Sequence, residues 1–576
     1  MVGILLATII LFGILVVIGL AASSEASVDV KKNTLLYIKF DQEIYDRAPA
    51  NPIANINVMN LMPEPVMGLD DIVNSIEYAK TDDHIKGIYI EPSIIKAGIE
   101  TKEEIRNALK DFKESGKFVL CYSSYYTQST YYLASIADKV YSNPSGIFEF
   151  LGLRSEIVFY KEAFEKWGIE AQVFRYGKYK SAVEPYLQDK LSDENREQIK
   201  ELLSSVWDNI LEGISEERGI EKRDLRKIAD NLLLRSAKDA KAYGLIDDMK
   251  YKDEIIDELL DSMNVKDISK LNVVKLSEYI ATVKSEKEKN KEKEKIAVIY
   301  AYGSVVMGEQ PDGAIASETI SRTIRKARKD SNIKAIVLRV NSGGGLVIAA
   351  DIIWREVMLA SEVKPVIASL GDVAASGGYY IVAPADVIVA NPNTITGSIG
   401  VFAIWFNGSR FLKDRVGITY DYVETNEHSN IESMLKMLDP EEQAYFQSSV
   451  NDIYLNFIEK VANGRNMSTA DVDSIGQGRV WSGVDAMDIN LIDEYGGLNK
   501  AIKIAAEKAG IDKYQIVSLP EQEEPFMAFL KQLNVEAKSR LMKKELGEYF
   551  NAFKNVQNLM DQTGLQARMA YELTIE

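Results

Sequence analysis

Residues 371–380 read GDVAASGGYY, and residues 339–345 read RVNSGGG. Each joins a β-branched apolar run to a stretch with helical spacing through a glycine turn, and the pair decides the fold class. Working outward, residues 296–300, 333–340, 365–370 and 387–389 are short apolar runs of strand character. The stretch after NSGGG puts Ala349, Ile352, Ile353, Val357 and Ala360 on one helical face, with Asp351, Arg355 and Glu356 off it. Strand, glycine turn, helix, strand and a second glycine turn imply parallel βα units, hence an α/β fold.

The same unit occurs twice. At a shift of 248, Ile72, Ile76, Ala79 and Asp82 meet Ile320, Ile324, Ala327 and Asp330, while Tyr131, Tyr132 and Asp138 meet Tyr379, Tyr380 and Asp386. At a shift of 246, Asp239, Ala240, Leu245, Ile246 and Asp247 meet Asp485, Ala486, Leu491, Ile492 and Asp493. Matches in so constant a register imply two copies of one domain. Residues 284–295, KSEKEKNKEKEK, contain no apolar side chain and read as a solvated linker or exposed helix end. The expected organisation is therefore a first repeat over 29–283, a linker over 284–295 and a second repeat over 296–520. A helical, amphipathic extension over 521–576 follows.

Residues 2–22 carry no charge and, at 1.5 Å per residue, would span about 31 Å as a helix, which matches a bilayer core. With residues 1–28 this is a transmembrane anchor or signal segment. Its length and the absence of a preceding basic region favour the anchor. Lys31 and Lys32 follow the run and would draw the body to the cytoplasmic side. The formal net charge of −18 excludes a nucleic-acid binder working by bulk charge. One cysteine, Cys121, and two histidines, His84 and His428, leave no disulfide and no Cys/His zinc framework, so neither metal nor cofactor is expected.

The glycine turns carry the chemistry. Ser376 falls just before an apolar run that starts a helix, where free N–H groups and the helix dipole favour negative charge. The turn at residues 341–345 lets backbone N–H groups approach a ligand closely. Together the two turns could form an oxyanion hole. Taken alone, Ser-Gly-Gly at a helix start is an ordinary cap.

AASGGYY, VNSGGG, NPNTITGSIG and FRYGKYKSAVEP resemble the bacterial signal peptide peptidase A (protease IV) family in its long tandem-repeat form. The resemblance runs from Leu35 to about Ser518 and includes the anchor. It implies a membrane-bound serine protease with a Ser/Lys dyad, two Clp protease/crotonase-like repeats and a homotetrameric assembly. By motif match Ser376 would be the nucleophile, Lys180 the general base and Ser398 the hydroxyl that orients the lysine. Gly344 and Gly377 would form the oxyanion hole. The implied substrates are remnant signal peptides, hydrophobic in character. The implied place is the inner (cytoplasmic) membrane, single-pass, with the body on the extracytoplasmic side. Gly343 departs from the family's usual proline.

The repeats test this assignment independently. Shifted by 248, Ser376 falls on Gln128 and Ser398 on Phe150, so the first repeat lacks the nucleophile. Lys180 falls on His428, or on Ser429 at a shift of 249, so the second repeat lacks the lysine. Each repeat keeps half of a dyad. A lysine can deprotonate serine only when neutral, and its pKa of about 10.4 must fall by burial away from carboxylates, as a seam between repeats would provide. Lys178 and Glu184 read as solvated, and His84 as a surface turn residue. Three alternatives remain: His428 as the base of a Clp-like Ser/His peptidase, an acyl-CoA enzyme of crotonase type, and an inactive membrane scaffold.

Overall fold

The computed structural model describes residues 28–49, 66–309, 313–522 and 564–569. The apolar run at residues 2–22 and most of the expected helical extension lie outside them. Among the described residues no helix is long and apolar enough to cross a membrane.

Two mostly parallel sheets form the two repeats. In the first, the strand order is Asp248–Met249, Lys139–Phe148, Phe118–Tyr126, Ile85–Ile90, Thr34–Ile38 and Asn272–Lys275. In the second, the central strands Val366–Ala375, Ile333–Ser342, Lys295–Tyr302 and Gln515–Leu519 run in the same order. Val387–Ala390, Ile395–Gly397, Val480–Ser482 and Glu494–Tyr495 continue it beyond Val366–Ala375. The four strands read from the sequence are all present, each longer by one to four residues. Their alternate faces are buried beneath helices, as parallel βα units require.

The matched positions do matched work. Tyr131 donates its hydroxyl to Leu245 O, and Tyr379 donates to Leu491 O at 2.8 Å. Asp138 and Asp386 accept from Val119 N and Val366 N at 2.8 and 2.7 Å. Asp247 and Asp493 accept from Val140 N and Ile388 N at 2.8 and 2.7 Å. These polar contacts satisfy backbone groups at strand and loop ends that burial would otherwise leave unpaired, a reason for both copies to carry the same residue types.

Between the repeats lies a buried charge cluster. Arg339, 1% exposed, reaches Asp46 Oδ1 at 2.7 Å, Glu104 Oε2 at 3.1 Å and Glu100 Oε2 at 3.5 Å. Asp372 in turn accepts from Thr101 N and Oγ1 at 3.1 and 2.7 Å. A guanidinium this deep is tolerable only with several carboxylates around it, so these contacts fix how the repeats dock.

A third, smaller sheet crosses the seam. Its order is Ala314–Ala316, Ser304–Val306, Gly344–Leu346, Gly564–Arg568, Val401–Asn407 and Glu170–Tyr176. The last pair is antiparallel, with Tyr176 opposite Val401 and Glu170 opposite Asn407. A strand of the first repeat is thereby spliced onto a strand of the second.

Two expectations need correction. Residues 564–568 are a strand, not part of a helix, because they pair on both sides with open sheet edges whose unpaired N–H and C=O groups outweigh local helical propensity. Glu356 lies on the buried side of the helix Val347–Ser361, held by Arg325 Nη2 at 2.7 Å and Arg328 Nη2 at 3.3 Å. Of the charged run at 284–295, residues 284–288 form the end of the helix Leu276–Glu288 and the stretch that follows is a connection, in keeping with a solvated linker or exposed helix end.

Candidate active site

Ser376 caps the short helix Gly377–Val382 at the end of the strand Val366–Ala375. Its backbone is strained, with φ 55° and ψ −116°. Such a conformation in a non-glycine residue costs about 1–3 kcal/mol and persists only where the surroundings enforce it. Here the Ser376 N–H donates to Gly397 O at 2.8 Å, which ties the turn to the neighbouring strand Ile395–Gly397. Ser398 follows that strand and also has a left-handed φ, 50°.

Lys180 enters from the other repeat. It sits just beyond the strand Glu170–Tyr176, and the pairing of that strand with Val401–Asn407 carries the lysine across the seam. Two glycines make room for it. A Cβ on Gly478 (φ 85°) would lie 2.6 Å from Lys180 N, Cα and Cβ, and one on Gly400 would lie 3.2 Å from its Cδ. Lys180 Nζ then stands 2.8 Å from Ser376 Oγ, 3.0 Å from Ser398 Oγ and 3.1 Å from Ser398 O. All three residues are buried, at 1% exposure or less. Among the described residues, Lys180 is the only side chain within hydrogen-bonding distance of the Ser376 hydroxyl.

Burial alone pushes the Lys180 amine well below its ordinary value near 10.5, and no carboxylate opposes the shift. A neutral amine has two N–H donors and one lone pair. With the donors spent on the two Ser398 oxygens, the lone pair is left for the Ser376 O–H.

The glycine turn at residues 341–345 lies opposite. Gly344, expected to supply a hole N–H, donates it instead to Ser342 Oγ at 3.0 Å, and that hydroxyl is itself anchored on Gly303 O at 2.6 Å. Its φ of 97° and its missing Cβ are what the turn uses, since a Cβ there would come within 2.6 Å of Gly377 N. The Met569 N–H donates to Gly343 O at 2.6 Å, so in the antiparallel ladder with Gly564–Arg568 the Gly345 N–H turns toward that strand, and its nitrogen lies 3.1 Å from the Cβ position of Gly377. Gly377 is the first residue of its helix, where the N–H has no intrahelical partner.

The remaining candidates fall elsewhere. His428 sits beside Glu442 Oε1 at 3.2 Å, which raises its pKa, and no contact joins it to Ser376. His84 is exposed and pairs with Asp82 Oδ1 at 2.9 Å in a turn. Lys178 is exposed as expected. Glu184 is not: it is fully buried and accepts from Ser192 Oγ at 2.6 Å and Asn195 Nδ2 at 2.9 Å, bracing the loop that carries Lys180. In the first repeat the serine position is filled by Gln128, whose Oε1 accepts from Leu151 N and Gly152 N, both at 3.0 Å. A second lysine–serine contact exists there, Lys102 Nζ to Ser129 Oγ at 2.9 Å, with the amine lowered to about 8 by burial. The turn that matches residues 341–345 reads SIIKA in this repeat, without the run of glycines.

The family model for peptidase family S49 matches residues 111–266 and 359–512, one span in each repeat. The chain belongs to peptidase family S49. The family spans contain Lys180, Ser376, Gly377 and Ser398. Protease 4 of Haemophilus influenzae is 35% identical over 446 residues, 76% of this chain and 72% of its own. Protease 4 of Salmonella typhi is 36% identical over 463 residues, 78% of this chain and 73% of its own. The chloroplastic serine protease SPPA of Arabidopsis thaliana is 36% identical over 464 residues, 80% of this chain and 68% of its own. This S49 chain is a serine protease, which leaves no place for the acyl-CoA enzyme or the inactive scaffold.

Proposed function

We propose that this S49 protease hydrolyses peptides with a Ser/Lys dyad whose halves come from different repeats. Residues 29–283 supply Lys180, and residues 296–520 supply Ser376 and Ser398. The observation that carries the reading is the 2.8 Å approach of Lys180 Nζ to Ser376 Oγ in a buried setting free of carboxylates. The neutral amine takes the hydroxyl proton as Ser376 attacks, and the ammonium returns it to the leaving amine. The N–H groups of Gly345 and Gly377 receive the oxyanion. We read the arrangement as a Clp protease/crotonase-like unit used twice, with the first copy's nucleophile position given over to Gln128.

Ser398→Ala removes one of the two acceptors that aim the amine and leaves the backbone carbonyl. We expect about a tenfold loss in kcat, on the scale of a misaligned proton transfer and far below loss of either dyad member. The pH profile of kcat/KM should be low in acid and climb through one ionisation to a plateau, because only the unprotonated amine can act. A small uncharged substrate gives the measurement, and a rate falling across neutrality in folded protein would refute the neutral lysine.

The substrates we assign are remnant signal peptides, hydrophobic in character, met at the inner (cytoplasmic) membrane. Residues 2–22 would anchor the chain in a single pass, with the body on the extracytoplasmic side. A homotetramer accords with exposed apolar side chains on neighbouring segments, Val158, Tyr160 and Trp167 beside Val416, Ile418 and Tyr422. Trp167 stacks on Phe411 and Arg415 reaches Lys166 O at 2.7 Å, so these segments form one surface, and such a patch usually marks an interface. Light scattering on the body from residue 29 onward should give an oligomer mass, and a monomer would refute the assembly.

A further inference from the structure

Gln198 lies on the helix Asp193–Arg218 of the first repeat, is 3% exposed, and walls the same small cavity as Lys180, Ser398 and Val480. Its Nε2 donates to Tyr179 O and to Ser181 Oγ, both at 3.0 Å, and stands 3.1 Å from Asn195 Oδ1. One nitrogen thus holds the two residues that flank Lys180. Its Oε1 accepts from the Val480 N–H, in the second repeat, at 3.3 Å. The reverse orientation of the amide would set oxygen against the Tyr179 carbonyl and nitrogen against the Val480 N–H, so the network fixes it as described. The carbonyl of the same peptide unit, Arg479 O, accepts from the Ser398 N–H at 2.6 Å. A peptide unit is planar and stiff, so one side chain joins the lysine loop to the backbone of the serine that the amine contacts. The carboxylates nearby are paired with arginines: Glu184 with Arg175 at 3.6 Å, and Glu197 and Glu201 with Arg479, the former at 3.7 Å. Among the described residues none of these charges contacts Lys180 Nζ, and Gln198 is an uncharged link between them.

The second repeat supplies a comparison. The helices Asp193–Arg218 and Pro440–Arg465 both run 26 residues, between the N-caps Ser192 and Asp439 and the left-handed C-caps Gly219 and Asn466. Aligned by these caps, Gln198 meets Tyr445, which is 63% exposed. The copy without the lysine is also without the glutamine, so the amide goes with the lysine loop and not with the helix as such. We propose that Gln198 is a positioning residue for the proton transfer: its amide keeps the backbone on both sides of Lys180 in register with Ser398, and so aims the amine at Ser376. The proposal rests on the dyad assignment above. Ser376 belongs to the same frame, because its N–H donates to O of Gly397, the residue before Ser398. Without the amide the loop is free to shift against that frame. Turnover then suffers and substrate binding does not, because the cleft belongs to the second repeat.

The test compares wild type, Gln198→Met and Gln198→Glu in the full chain on a small uncharged peptide ester, with Ser376→Ala beside them. Rates are counted per folded molecule, from near-ultraviolet circular dichroism. Methionine has similar length and no hydrogen bonds, so plateau kcat should fall about tenfold with KM within about twofold of wild type. Glutamate keeps the reach and the acceptor for the Val480 N–H but sets a carboxylate beside the lysine loop. A negative charge there favours the ammonium, so the rising limb of kcat/KM should move to higher pH by about one unit. A residue that only closed the seam would lower the melting temperature of both variants and leave these readouts per folded molecule unchanged. A plateau kcat in Gln198→Met within about twofold of wild type, or a loss carried by KM alone, overturns the proposal, and an inactive Ser376→Ala then leaves the dyad standing. An unmoved limb in Gln198→Glu overturns it as well, and decides the question if Gln198→Met does not fold. Activity retained in Ser376→Ala overturns the dyad and this proposal with it.

Discussion

Ser376→Ala and Lys180→Ala should each lower kcat on a peptide ester by about 10⁴-fold or more, and the double variant should be no slower than the worse single one. The reason is the 2.8 Å contact between them: neither an unactivated hydroxyl nor an amine without its nucleophile completes the proton transfer. Residual activity above about 1% in either single variant would sink the dyad. Lys180→Met adds a second readout. In the unfolded chain this lysine is protonated up to its ordinary value near 10.5, whereas burial holds it far lower in the folded protein. Between those two values folding must release a proton, so stability from this group is complete only above about 10.5 and diminishes as pH falls toward the folded value. Methionine fills similar space without that cost. Thermal denaturation should therefore show Lys180→Met melting above wild type at pH 7, with the gap closing toward pH 10, while the variant is inactive. A lower melting point at pH 7 would mean that the amine is not held neutral.

Gly478→Val should cost about 100-fold in kcat with the fold retained. The new Cβ would be 2.6 Å from the Lys180 backbone, and φ at this position is 85°, where a β-branched residue is strained. The clash pushes the loop bearing Lys180 away from Ser376, and a displacement near 1 Å at a catalytic group costs on the order of 10²-fold. KM should change little, because the nucleophile, the glycine turn and the strand Val401–Asn407 belong to the other repeat and stay in place. Steady-state kinetics together with circular dichroism decide it: an unaltered kcat in folded protein would show that the seam can yield without moving the lysine.

Periodicity and internal homology made much of this legible. The apolar runs and glycine turns dictated parallel βα units because strand and helix patterns are local. The repeat was visible because Asp138 and Asp386, or Tyr131 and Tyr379, cap the same backbone groups in each copy. The same comparison singled out Ser376 and Lys180 as unmatched between copies, and the fold brings those two side chains into contact. Glu184 was misread as solvated because nothing in its neighbouring sequence announces Ser192 and Asn195 folding back onto it. Gly344 was chosen over Gly345 because a run of three glycines does not reveal which N–H a nearby hydroxyl will take.

What the sequence determined by itself, then, is the unit, its duplication and which copy carries Ser376 and which Lys180, since each depends on residues close in the chain or on matching two copies. Tertiary structure alone decided that Glu170–Tyr176 pairs with Val401–Asn407, that Gly400 and Gly478 open a slot for Lys180, and that Gly564–Arg568 takes the cleft. Those choices join residues more than 150 positions apart. Which strand fills an open edge is set by which edges the rest of the fold leaves unpaired, a quantity no local pattern records.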